Sequence, residues 1–279
     1  MLYEPNLVRR FHRSAGVTRY PAIDSAGTMI RMNRATDTTR NTRRIVVIET
    51  SGRIGSTALA DDQGVIASTQ LTGRKRHAGE LMPAIDQLLK EQDWSPDTLT
   101  DIFVSIGPGS FTGLRVGVTV TRTLAWSLNL RIVAVPSLDA LARNGLQADP
   151  RPQRLAVILD AKRDQVFTAA FDLSDDACRK CLDAQLADPS AFLSQCAKPI
   201  AALGEGVPYH QEAIKAGGAT VLDEAFWWPR VENVYQVGIE LARQGQYTPG
   251  SELLPLYIRR PEAEEKWEKL HGPQGRRIR

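Results

Sequence analysis

From Arg44 onward the chain falls into short apolar runs separated by polar turns, and "IVVIET" (45–50), "GSTALA" (55–60) and "GVIAST" (64–69) predict three strands joined tightly. In "ELMPAIDQLLKEQ" (80–92) the apolar positions change period: Leu81, Ile85, Leu88 and Leu89 share one helical face, with Pro83 expected in the first turn. Ser95-Pro96 reads as a cap followed by proline at the first helical position. Beyond it, "DIFVSIG" (101–107) predicts a buried strand, "TGLRVGVTVTRTLAWSLN" (112–129) a helix and "RIVAVP" (131–136) a further strand, with Ser137 expected to cap a helix over "LDALAR".

After the proline-rich "ADPRPQR" (148–154) the pattern starts again. "VVIETSGRIGSTALAD" (46–61) and "AVILDAKRDQVFTAAFD" (156–172) are each an apolar strand ending at an acid, Glu49 or Asp160, then a polar turn with a basic residue and a second strand. "PSAFLSQCA" and "PYHQEAIKAGG" then predict helices, "PIAALG" and "ATVLD" strands, and "VYQVGIELARQG" a last helix. This predicts an α/β protein of two duplicated lobes with mixed sheets flanked by helices. The expected division is a basic extension (1–43), a first lobe (44–147), a smaller second lobe (148–260) and a charged tail (261–279).

Charge modifies this picture only at the ends. Residues 1–44 hold nine arginines against three acids, whereas 45–258 hold 19 basic and 25 acidic residues, so the core is mildly acidic and a broad nucleic-acid footprint on it is disfavoured. The first 44 residues read as a flexible extension, a targeting segment, or upstream coding with true initiation at Met32. They lack the apolar stretch of a secretory signal. No apolar run reaches the roughly 18 residues of a membrane span. Three cysteines are too few for a disulfide scaffold, and Cys178 and Cys181, spaced C-x-x-C, have neither a second pair nor clustered histidines beside them. A cytoplasmic protein is expected.

Candidate chemistry centres on "GPGSFTGLRVG" (107–117). Gly107, Gly109 and Ser110 join a strand to a helix, where backbone N–H groups and the helix dipole favour an anion. With Ser51, and with Gly204 and Gly206 of "GEGVPYH", they form a candidate phosphate or nucleotide site, although neither G-x-x-x-x-G-K-[ST] nor G-x-G-x-x-G is present. Gly113 and Gly117 lie four apart on one helical face, each costing about 1 kcal/mol relative to alanine. Close packing would offset that cost, against a partner's helix or within the same lobe; both stay open. Arg115 between them is an anion or interface contact, or a solvated residue. Glu49 and Asp160 are structural acceptors or carboxylates for a metal-bound phosphate. No metal site is predicted, since His12, His77, His210 and His271 lack helical ligand spacing.

The glycine stretch, with "IETS", "STALA", "VAVPSLDALA", "HAGELMP" (77–83), "DAKRDQVFTAAF", "GEGVPYH" and "PLYIRR" (255–260), resembles the TsaB family of tRNA threonylcarbamoyladenosine biosynthesis proteins over about 45–260. The resemblance implies the actin-like ATPase (ASKHA, ribonuclease H-like) fold. It further implies a non-catalytic role as a heterodimer with TsaD, the paralogue that transfers threonylcarbamoyl to tRNA, and work alongside the ATPase TsaE, with tRNA met through the complex. TsaD carries an H-x-x-x-H metal site after the equivalent of "VAVPS", where this chain reads "PSLDALAR" without histidine. ATP or ADP and metal are therefore expected on the partner subunits and no cofactor on this chain. The expected partner face comprises His77, Glu80, Leu81, Pro83, Gly113, Arg115 and Gly117, and homodimerisation of the lone chain is allowed. The competing expectation is a free-standing nucleotide hydrolase or kinase using the Gly107–Ser110 loop with Glu49 and Asp160; a glycoprotease comes third. Removing both basic termini is expected to weaken tRNA capture.

Overall fold

The computed structural model describes residues 42–72, 77–175 and 177–256, without the side chains of His77 and Ala78. The extension up to residue 41, the basic cluster 74–76 and the tail from 257 lie outside the described residues. Strands β1 (Ile45–Glu49), β2 (Ser56–Ala60), β3 (Val65–Gln70), β4 (Asp101–Gly107) and β5 (Arg131–Pro136) form one sheet in the order β3-β2-β1-β4-β5. β1, β2 and β3 run antiparallel in turn, whereas β1, β4 and β5 run parallel. Strands covered on both faces need near-continuous apolar runs, and all four N-terminal residues of β1 are buried aliphatics.

A second sheet repeats this plan. β6 (Arg154–Asp160), β7 (Val166–Asp172), β8 (Arg179–Ala187), β9 (Ile200–Leu203) and β10 (Ala219–Val221) lie in the order β10-β9-β6-β7-β8, with the same alternation of directions. Superposing β6 on β1 and β9 on β4 gives one topology used twice, the duplicated α/β arrangement of actin-like lobes. β8 has no counterpart in the sequence expectation. It is an edge strand with exposed Arg179, Lys180, Cys181 and Asp183, so it lacks the apolar run that reveals its neighbours.

The helices do not follow the same division. α1 (His77–Glu91) and α2 (Phe111–Leu128) cover one face of the first sheet, seating Leu81, Ile85, Val118 and Leu124 against Val46, Ile48, Ile102 and Val104. α3 (Ser137–Ala142), although it follows β5, delivers Leu138, Leu141 and Ala142 to the second core, which α4 (Pro189–Gln195) and α5 (Gln211–Ala216) complete with Phe192, Leu193 and Ile214. α6 (Val231–Arg243), which follows the second sheet, returns to the first, packing Val231, Val234 and Val237 on Ile45, Val47, Phe103 and Val133. Each such side chain, fully buried, contributes about 1.5–3 kcal/mol. The segment after α6 stays with the first sheet, Thr248 N donating to Ile132 O (2.8 Å) and Leu256 N to Ile106 O (2.7 Å). A boundary at 147/148 therefore separates the strands, but by packing residues 231–256 belong with the first sheet. Asn144 ties the crossing together: its Nδ2 donates to Phe226 O and Trp228 O, and its Oδ1 accepts from Asn233 Nδ2.

Two local expectations are corrected. α1 starts at His77, three residues before the expected start, so Pro83 sits in its second turn; the carbonyl its ring meets belongs to Gly79, whose backbone has no Cβ to restrain it. Ser137 does not cap α3. Pro136 holds the cap position, and the Ser137 hydroxyl accepts the Gly107 N–H at 3.0 Å, because a strand-end amide has no ladder partner there.

Candidate functional site

The candidate residues gather at the C-terminal ends of β1 and β4 in one sheet and of β6 and β9 in the other, the place where parallel strands of α/β proteins present ligand sites. Glu49 ends β1 fully buried. Its Oε1 accepts from Ser51 N (2.5 Å) and Ser51 Oγ (2.6 Å), while Oε2 has no partner. Burial, stronger than the opposing hydrogen bonds from Ser51, raises the Glu49 pKa above the ordinary carboxylate range. Glu205, between Gly204 and Gly206, is likewise raised by burial and by the negative charges of Asp160 and Glu49, which places the two loops in one field.

Asp160 behaves in the opposite way. Burial opposes its ionisation, but the side-chain and backbone hydrogen bonds from Lys162 prevail and hold its carboxyl below the usual range. Lys162 Nζ lies 2.5 Å from Oδ2, its N–H 3.0 Å from Oδ1, and His210 Nε2 3.5 Å from Oδ1. The turn carrying this lysine is strained: Lys162, Arg163 and Asp164 all have φ between 57° and 64°, a left-handed conformation costing about 1–2 kcal/mol per residue. The carboxylates that a nucleotide-hydrolysing reading requires are thus a buried Glu49 whose pKa is raised and an Asp160 already paired with Lys162.

The expected phosphate donors are engaged as well. Ser51 donates to Glu49, Gly107 N to Ser137 Oγ, Ser110 N to Ser51 O (2.7 Å) and Gly206 N to Ile158 O (3.0 Å), while Pro108 has no N–H. Gly109 and Gly204 are tight backbone crossings, since a Cβ on either would overlap a carbonyl oxygen, that of Ser51 or of Ile158. Gly107 and Gly204 stand at the ends of topologically equivalent strands with φ of +112° and +121°, so the same backbone device occurs in both lobes. Gly107, Ser110 and Gly206 thus spend their N–H groups within the chain, bracing strand ends to neighbouring segments.

The expected partner face divides. Gly113 and Gly117 are buried and turned inward, and a Cβ on them would strike Thr50 O and Thr50 Oγ1 respectively. Their close approach is to β1 of their own lobe, which corrects their assignment to a partner face. Leu81 is also core, with no exposed surface. Glu80 accepts from Thr72 N (2.6 Å) and Thr72 Oγ1 (2.8 Å), fixing the entry to α1. What faces outward is Pro83, Arg115 and their neighbours: Arg115 stacks at 4.8 Å over the Phe111 ring, which is 42% exposed, and Thr112 and Thr119 share that exposed face. The His77 side chain lies outside the described residues. Among the described residues no group of three or more His, Cys, Asp or Glu is placed to hold a metal ion, and no helix is long and apolar enough to cross a membrane. Cys178 packs against the second core, where burial pushes its thiol up to about 12, while Cys181 is exposed on β8 with its thiol also raised by burial.

Comparison with known proteins bears on this geometry. The sequence profile described as "TsaD: tRNA N6-adenosine threonylcarbamoyltransferase" matches residues 64–267. The tRNA threonylcarbamoyladenosine biosynthesis protein TsaB of Bacillus subtilis is 35% identical over 80% of this chain and 97% of its own length; that of Escherichia coli is 24% identical over 83% and 100%. A crystal structure from Pseudomonas aeruginosa, described as an uncharacterized protein with similarity to peptidase YEAZ, shares the fold with a TM-score of 0.66 at 24% identity. It covers 78% of this chain and 100% of that one.

Proposed function

Because this chain belongs to the TsaD family, on its TsaB branch, we propose that it acts in tRNA threonylcarbamoyladenosine biosynthesis as a non-catalytic subunit that binds a TsaD-like paralogue and activates its transfer reaction. The observation that carries the finer reading is the outward surface of α2. Phe111, Thr112, Arg115 and Thr119 form an exposed face of small and apolar residues with one cation, beside Pro83 on α1, while the inward face is locked to β1 by glycine. A ridge of this kind suits packing against another protein's helices. The strand ends support the same reading, since the N–H groups of Gly107, Ser110 and Gly206 and the Asp160 carboxylate are engaged within the chain. Transfer chemistry, with ATP or ADP and metal, then belongs to the partner subunits, a TsaE-like ATPase among them, tRNA is met in the assembly, and the working place is the cytoplasm.

The test is size-exclusion chromatography with light scattering on the full chain mixed with the same organism's TsaD-like paralogue. Both Arg115 and Thr119 are exposed, so the Arg115→Glu/Thr119→Glu double variant should stay folded yet weaken a one-to-one complex more than about tenfold, the scale of a hot-spot loss. A complex of unchanged affinity would overturn the interface. A Gly117→Leu change would not serve, because its side chain collides with Thr50 and reports on folding.

A further inference from the structure

At the opposite end of the first lobe from the C-terminal ends of β1 and β4, a groove of about 1020 Å³ opens between the end of α2, the start of β5 and the segment 247–251. Its lining includes Arg122, Trp126, Asn129, Arg131 and Tyr247. Trp126 is 76% exposed on a helix whose adjacent Leu124 and Ala125 are core, so its indole lies open at the groove without supporting the fold. A large aromatic surface left in water loses the free energy of its burial unless something covers it.

The groove continues into a band of alternating cations and rings. Arg131 lies 4.9 Å over the Tyr247 ring, and at the same end of the sheet, where the parallel strands begin, Arg44 lies 4.8 Å over Trp94. The two arginines are linked through the backbone at the strand starts, Thr100 N donating to Arg44 O (2.9 Å) and Arg131 N to Thr100 O (3.0 Å). Arg131 pairs with the buried Asp101 at 2.8 Å, whereas Arg122 and Arg44 have no carboxylate partner among the described residues. Arg43 and Arg44 lead into β1 at this same end of the sheet. Excess cations interleaved with aromatic faces, on a lobe otherwise mildly acidic, match an anionic chain that carries flat bases better than they match an apolar peptide.

We propose that this groove binds a single-stranded segment of RNA, with an unpaired base stacked on Trp126 and its flanking phosphates on Arg122 and Arg131. The choice of RNA rests on the tRNA-modification reading above; Arg122 and Trp126 continue the exposed stripe of Arg115 and Thr119 along α2, so RNA binding is measured on this chain without any partner. The binding needs no backbone amide and no metal, and it is sequence-tolerant because every base offers a π-face.

The full chain, without any partner, is titrated into a fluorescein-labelled oligouridylate of about 12 nucleotides, a length within the reach of such grooves, and anisotropy is followed across a salt series. Trp126→Ala should weaken binding about tenfold, within the range for loss of one stacked base. Arg122→Ala should lower the slope of log affinity against log salt by about 0.7, the single-strand value for one phosphate contact. Equal affinities and slopes for wild type and both variants would overturn the proposal. So would a Trp126→Ala protein that keeps its RNA affinity but loses the TsaD-like paralogue, since the groove would then be a protein interface. Failure of the Arg115→Glu/Thr119→Glu test with these RNA effects intact would strike the partner reading alone.

Discussion

Glu49 shows how one residue carries two readings until its surroundings are known. From the sequence it is an acid at a strand end, equally suited to a metal-bound phosphate or to a turn; the structure buries it, gives one oxygen two Ser51 donors and leaves the other without any. Burial raises its pKa in the folded state, so the folded chain holds that proton more tightly than the unfolded chain does. Its contribution to stability is full below the ordinary glutamate range and is lost as pH rises from about 4.5 through the raised folded value. Glu49→Gln keeps an acceptor for Ser51 and removes the ionisation. Urea unfolding at pH 5 and pH 8 should show the variant gaining on wild type as pH rises, and a constant difference would mean that Glu49 does not titrate on folding. Asp160 has the reverse sign, its stabilisation present above the ordinary aspartate range and lost on acidification, so only the difference between variant and wild type isolates Glu49.

The elements were legible where burial imposes a period. β1, β4, β5 and β6 stand out because strands covered on both faces are apolar throughout, and α2 because its repeat persists for 18 residues. β8 was not, since an edge strand with a solvated face has no such constraint. The spacing of Gly113 and Gly117 correctly implies a close approach but carries no information on which neighbour approaches. That neighbour is β1, and the difference is measurable. On helix propensity alone Gly113→Ala would gain about 1 kcal/mol, whereas overlap with the Thr50 carbonyl predicts a net loss of about 1–3 kcal/mol in urea unfolding. A stabilised variant would return these glycines to the outer face.

Across the whole molecule, the duplication was visible in two matching strand-turn-strand passages, and the order of the sheets follows from it. The crossing of helices was not visible, because an amphipathic helix shows that it covers a sheet but not which of two similar sheets. The Trp126 groove escaped for a related reason: its residues come from α2, β5 and the segment after α6, which approach one another only through that crossing. If α6 covers the first sheet, a chain ending at residue 230 should leave Ile45, Val47 and Phe103 bare. Such a protein should bind a hydrophobic dye and lack a cooperative unfolding transition; cooperative unfolding of an intact first lobe would contradict the packing.

The exchange of α3 and α6 also sets a timetable for synthesis. β1 leaves the ribosome nearly two hundred residues before α6, and at about 5–20 residues per second its apolar face waits roughly ten to forty seconds for the helix that will cover it. The first sheet is therefore completed only after residues 231–243 have been made, and a slow codon late in the message would lengthen the exposure of a sheet encoded near its beginning.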